Sequence, residues 1–100
     1  MKKIIYTPDA PSPIGPYSQA VEANGMLFVS GQIALDPVSG ELIQDDIETE
    51  TRQVFSNLKA ILEARGLTFD HVVKSTVFVA DMNQFARINA VYAEYFSGEE

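Results

Sequence analysis

Apolar and polar positions change period along this chain in a way that marks out six short elements. Lys3 to Tyr6 is a β-type run, followed by a stretch holding Pro8, Pro11, Pro13 and Pro16 that should be extended and irregular. Gln19 to Ala23 and Met26 to Ile33 flank Asn24-Gly25, the strongest short-range hairpin signal. Asp36 to Gly40 supplies a second turn. The period then lengthens: Ile47, Val54, Phe55, Leu58, Ile61 and Leu62 recur at helical spacing. Asp45 or Asp46 can cap that helix, and Gly66 stands where a left-handed residue ends one. Val72 to Ala80 is β-branched and aromatic, hence a strand. Asp81 or Asn83 opens a second helix striped by Phe85, Ile88, Val91, Tyr92, Tyr95 and Phe96.

The order β-β-β-α-β-α constrains topology. The first helix is long enough for a right-handed parallel crossover, so the sheet should be mixed, an antiparallel hairpin with at least one parallel neighbour. Consecutive crossovers of one hand put both helices on one face. The fourth strand is nevertheless apolar in both phases, with Val73, Val77 and Val79 opposite Val72, Phe78 and Ala80. The third behaves likewise, with Leu27, Val29 and Ile33 opposite Met26 and Phe28. Two helices cover one face, so the other needs a partner, and a homo-oligomer packed through the bare sheet face is the economical answer.

Composition narrows the chemistry. One hundred residues make a single domain spanning 1–100, and 46% hydrophobic with 21% charged residues is an ordinary globular balance. With no cysteine and one histidine, thiolate catalysis, Cys-based metal cages and Ser-His-Asp triads have no material. The net charge is −7, and Lys2, Lys3, Arg52, Lys59, Arg65, Lys74 and Arg87 are scattered, which disfavours nucleic-acid binding. No apolar run approaches the roughly 18 residues of a membrane span, and no signal-peptide pattern is seen. A soluble cytoplasmic protein is the expectation.

Few residues stand out as chemistry. Ser30-Gly31 interrupts an otherwise good strand: either a bulge that eases curvature, or a hydroxyl and a backbone N–H offered to a small anion. Tyr17, after Gly15-Pro16, is either a ligand-facing phenol or an amphipathic plug. Asn89 lies about 80° from the centre of its helix's apolar stripe, so it either reaches a cleft or solvates the flank. His71 beside Asp70 suits a surface or capping role. Asp45, Asp46, Glu48 and Glu50 complement the positive end of a helix dipole rather than form a metal site.

Three segments together resemble the RidA/YjgF family, also called endoribonuclease L-PSP or translation inhibitor: Ser12 to Val21 (SPIGPYSQAV), Phe28 to Ile43 (FVSGQIALDPVSGELI) and Asn57 to Met82. Asn89 to Phe96 (NAVYAEYF) resembles the segment the family carries next, so the likeness covers essentially the whole chain. The resemblance implies a chorismate-mutase-like α+β fold and a homotrimer with helices outside, sheets facing in and clefts between subunits. It also implies hydrolysis of reactive 2-imino (enamine) acids to 2-oxo acids and ammonia, with no cofactor or metal. Residue by residue, Tyr17 would orient substrate or water, Ser30 and Gly31 would offer hydroxyl and backbone donors, and Asn89 would stand near the cleft wall.

The sequence also departs from the family's pattern. Members continue into further strands that bring an arginine to clamp the substrate carboxylate and a glutamate to position water, whereas this sequence ends at Glu100. The favoured expectation is a shortened version of a longer product, with a natural short form as the alternative. Three functions follow: the imine deaminase; a trimer that binds small carboxylates such as 2-oxobutanoate without turning them over; and an RNase, opposed by the net charge. A holdase-like role is also attributed to some relatives.

Overall fold

In the computed structural model, residues 3–12, 18–72, 74 and 81–96 are described. Three antiparallel strands, β1 (Lys3–Ile5), β2 (Ala20–Ala23) and β3 (Met26–Val29), form one sheet in the order β1-β2-β3. The hairpin joining β2 to β3 turns on Asn24 and Gly25, both with positive φ (54° and 76°), as a type I′ turn demands. Two helices follow, α1 (Ile47–Ala64) and α2 (Phe85–Tyr95). The fold is α+β. The parallel neighbour expected from Val72 to Ala80 lies outside the described residues, save for Val72 and Lys74.

Local chemistry explains where the helices begin and end. Asp46 caps α1, its Oδ1 accepting from the Thr49 N–H at 2.7 Å, and Glu48 and Glu50 occupy the first turn. At the other end Gly66 takes φ 75°, with Leu67 N–H donating to Leu62 O (2.8 Å) and Gly66 N–H to Glu63 O (2.9 Å). That pair of bonds is a Schellman motif, which only a left-handed residue permits at low cost. A 3-10 turn (Phe69–His71) follows, where Thr68 and His71 form a reciprocal capping box. Asp81 caps another 3-10 turn (Met82–Gln84) that leads into α2, its Oδ1 accepting from Asn83 N–H at 2.9 Å.

The core lies between the sheet and α1. Ile5, Ala20 and Val29 stand in register across the three strands and pack with Ile61, Ala10, Leu27 and Ala60. On the opposite face Ile4, Val21 and Phe28 stand in register too, and Ile4 and Phe28 are 66% and 59% exposed. One sheet face is thus covered and the other presents an apolar row, as the two-phase pattern of β3 foretold. Among the described residues, no helix is long and apolar enough to cross a membrane.

The helices run in the same direction. Glu48 pairs with Arg87 near both N-termini, Arg52 pairs with Glu94 further on, and Phe55 then meets Tyr92, Tyr95 and Phe96. Phe69 closes this aromatic cluster against Phe55, Tyr95 and Phe96. Arg65 ties the end of α1 to Glu22 of β2.

Two sequence expectations are corrected. The third strand ends at Val29 rather than at Ile33, which is exposed. Beyond Ser30, whose N–H still donates to Gln19 O at 2.9 Å, the chain leaves β2 and turns toward α1. Phe85 is half exposed rather than part of the buried stripe, because it opens α2 and has no preceding α-helical turn to pack beside it.

Four carboxylates make the native state acid-sensitive. Glu22 and Glu48 are held below the ordinary 4.5 mainly by hydrogen bonds from Arg65 and Arg87. Asp36 and Asp46 are held below 3.8 by backbone N–H groups, those of Ser39 and Val38 for the first and of Thr49 for the second. A lowered native value means the stabilisation is complete above the ordinary value and is lost as pH falls through the native one. Thermal melts should therefore hold level from neutral pH to about 5 and fall below about 4. Asp46→Asn should show a smaller acid-induced drop in Tm than the wild type; an equal drop would remove the cap from this account.

Candidate functional site

The segment before β2 contains Pro8 and Pro11, which lack N–H groups, so its carbonyls have little chance of joining a ladder. A side chain solves this. Gln19, 3% exposed, accepts from Thr7 N–H at 2.7 Å through Oε1. Its Nε2 donates to Thr7 O (2.9 Å), Ala10 O (3.1 Å) and Pro11 O (2.9 Å). One buried amide thus folds residues 7–11 around itself. Thr7, also buried, adds a bond from Asp9 N–H to its hydroxyl at 3.2 Å.

The next residue, Ser18, connects this clasp to the end of β3. Ser30 Oγ donates to Ser18 O at 2.6 Å, and Ser30 N–H donates to Gln19 O. The single hydroxyl hydrogen of Ser30 is therefore already used, and its oxygen keeps only acceptor capacity for a ligand. Gly31 lies beyond the strand end, not inside a strand, so the bulge reading does not apply. Its φ is not positive, and a Cβ placed there would meet nothing within 4 Å among the described residues. Among those residues, neither backbone geometry nor close packing requires a glycine at 31. Among the described residues no acceptor takes the Gly31 N–H, and the residue is exposed.

On the far side of Gly31 the chain is held by a second buried amide. Asn57 of α1, 1% exposed, donates from Nδ2 to Ile33 O (3.1 Å) and Leu35 O (2.9 Å). Ile43 N–H donates to Ala34 O at 2.7 Å, and Leu35 bridges to Leu42 across the Asp36–Gly40 turn. Asp36 braces that turn by accepting from Val38 N–H (2.8 Å) and Ser39 N–H (3.0 Å). Gln32 folds back, its Nε2 donating to Ser30 O at 3.1 Å.

Asn89 is exposed on α2, and among the described residues no hydrogen bond links it to Ser30 or Gly31. At 100° per residue it sits about 150° around α2 from the side on which Arg87 and Glu94 reach α1. Tyr17 lies outside the described residues. His71 serves as a cap, its Nδ1 accepting from Thr68 N–H at 3.1 Å. The first-turn acids act as cap and ion-pair partner, and no metal-type cluster occurs among the described residues.

All three arginines of the sequence are engaged by glutamates through two nitrogens each: Arg52 by Glu94, Arg65 by Glu22 and Arg87 by Glu48. None is poised to clamp a carboxylate. The residues that organise the site, Gln19 and Asn57, are not singled out by the sequence reading. Asn57 left a signal, since it falls about 40° from Ile61 within the apolar arc of α1, where an amide must find buried partners.

Residues 7–100 match the family model for endoribonuclease L-PSP, and the chain belongs to that family. A RutC family protein of Pyrococcus horikoshii is 56% identical over 96 residues, covering 96% of this chain and 76% of the relative. The mouse protein named 2-iminobutanoate/2-iminopropanoate deaminase is 47% identical over 98 residues, covering 98% of this chain and 73% of the relative. Among solved structures, E. coli TdcF with bound serine superposes with a TM-score of 0.90 at 45% identity, covering 95% of this chain and 74% of that one.

Removal of the Gln19 amide should be costly, because Gln19→Ala strands several buried carbonyls and an N–H. The expected loss is about 3 kcal/mol in denaturant unfolding with the slope unchanged. A loss below about 0.5 kcal/mol would mean that the clasp does not hold the fold.

Proposed function

We propose that this chain carries the substrate-orienting part of a hydrolase that deaminates 2-imino (enamine) acids to 2-oxo acids and ammonia. The observation that carries the reading is Gly31: among the described residues its exposed N–H has no acceptor, and no atom stands where any other residue would put a Cβ. The 47% identity to a mouse protein named for this activity supports the reaction class. Water adds to the imine carbon to give a tetrahedral carbinolamine. Transfer of a proton to nitrogen then lets the carbon–nitrogen bond break, releasing ammonia and leaving the 2-oxo acid.

In this scheme the Gly31 N–H binds the carboxylate and Ser30 offers oxygen lone pairs to the imine N–H, while its own hydrogen stays on Ser18 O. Tyr17 orients substrate or water. Asn89 faces a cleft formed with a neighbouring subunit of a homotrimer, for which the apolar row Ile4, Val21 and Phe28 supplies the buried face. No cofactor or metal enters the scheme. A cytoplasmic setting is part of the same reading.

A second reading is favoured by the arginines. With every guanidinium engaged by a glutamate, the chain would hold a small carboxylate by neutral donors alone, and E. coli TdcF is a relative solved with bound serine. That reading is a trimer that binds small carboxylates such as 2-oxobutanoate without turnover. The endoribonuclease implied by the family's older name is disfavoured by the net charge of −7 and the same engaged arginines.

The test is 2-oxobutanoate release from freshly generated 2-iminobutanoate at neutral pH. A rate above buffer is expected, reduced in Tyr17→Phe and cut about tenfold or more in Gly31→Ala. Because the added Cβ meets nothing among the described residues, the Tm of Gly31→Ala should stay within about 2 °C of the parent. A folded chain that gives no rate but binds 2-oxobutanoate saturably would move the conclusion to the second reading. Equal rates in parent and Gly31→Ala would remove the site from Gly31.

A further inference from the structure

Gly31 can present its N–H in a fixed direction only if the chain on both sides is fixed. On the N-terminal side β3 and the two bonds of Ser30 to residues 18 and 19 do this. On the C-terminal side no strand continues, and the direction of the segment is set by what its carbonyls meet. Asn57 takes two of them, Ile33 O and Leu35 O, with a single Nδ2. Its own orientation is fixed in turn, since Gln53 Nε2 donates to Asn57 Oδ1 at 2.9 Å. An amide free to flip would turn an oxygen toward two carbonyl oxygens. The Gln53 bond selects the end that donates.

We propose that Asn57 is a positioning residue for the Gly31 donor, held in its working orientation by Gln53. α1 thereby acts as the rear wall of the site. The inference rests on the reading of Gly31 as a carboxylate donor, and deepens it. The two carbonyls that Asn57 holds are two and four residues beyond Gly31, close enough for a lost bond to rotate the intervening peptides. A donor misdirected by a few tenths of an ångström weakens binding while leaving the reacting groups unchanged.

The probe is 2-oxobutanoate, titrated into 15N-labelled full chain while the Gly31 amide resonance is followed. Four proteins are compared: wild type, Asn57→Ala, Gln53→Leu, and Leu62→Ala as a control that removes a buried apolar side chain of α1 and no side-chain hydrogen bond to residues 30–35. The expected result is affinity about tenfold weaker in Asn57→Ala and about threefold weaker in Gln53→Leu, with Leu62→Ala within about twofold of wild type. Undiminished affinity in Asn57→Ala, or an equal loss in Leu62→Ala, would overturn the proposal. If Asn57→Ala does not fold, Gln53→Leu decides, since its side chain is only half buried. If the wild-type Gly31 amide does not move, the carboxylate reading fails, and hydrogen exchange at the Leu35 and Ile43 amides tests the brace alone. Faster exchange in Asn57→Ala than in Leu62→Ala keeps the brace; equal exchange removes it.

Discussion

Ile61 is fully buried against Ile5, Ala10 and Ala20, with Leu27, Val29 and Ala60 around it, and this packing fixes the roll of α1 about its own axis. Once the roll is fixed, helical geometry assigns the other faces. Asn57, about 40° round from Ile61, must meet the segment that leaves β3, and Phe55, about 120° round, must meet α2. Removing such a side chain to alanine typically costs about 2–5 kcal/mol, a large part of the roughly 5–15 kcal/mol available to a small domain. The larger consequence is geometric. A rotated α1 would carry the Asn57 amide away from Ile33 O and Leu35 O, and the strand exit would lose its brace.

Charge is organised around the same helix. An acidic chain repels itself, and its three arginines are placed where they join elements: two lace α1 to α2 and one ties α1 to β2. These pairs are solvent-exposed, so each adds little to stability in salt. What they fix is direction: the order Glu48–Arg87 then Arg52–Glu94 admits only helices running the same way. The aromatic cluster of Phe55, Phe69, Tyr92, Tyr95 and Phe96 then fills the wedge between them. The guanidinium charge spent on this scaffold is unavailable to phosphate.

Periodic features were legible in the sequence and aperiodic ones were not. Asn24-Gly25 announced its turn because two successive left-handed residues have few other uses, and Asp46 and Gly66 bounded α1 for equally local reasons. The apolar far face of β3 was visible from Met26 and Phe28. The end of β3 was not, because Ile33 continues the alternation while Asn57, twenty-four residues on, draws its carbonyl away. Phe85 kept the helical period but fell at a helix end, where period no longer implies burial. Gln19 was unreadable for another reason: its four bonds answer a shortage of N–H donors in a proline-bearing segment, and such a shortage has no period. The proposed site residues were singled out as functional only through family likeness, and Tyr17 lies outside the described residues.

The glycine at 31 sharpens what the protomer alone explains. Gly25, Gly40 and Gly66 each take a positive φ, so their identity follows from the backbone they serve. Gly31 takes none, and a Cβ there would meet nothing among the described residues, so their packing gives no reason for it. Sheet register, the Ser30 bonds and the two buried amides all converge to hold a residue whose missing side chain serves no packing among the described residues. Structure of that kind, rigid around an unexplained gap, is what a binding site requires: donors fixed in advance and volume left for something that is not part of the chain. A small carboxylate, a neighbouring subunit, or both at a shared cleft would each account for the gap. The exposed N–H beside it separates them, since an apolar subunit face would leave that donor without a partner on burial, whereas a carboxylate satisfies it.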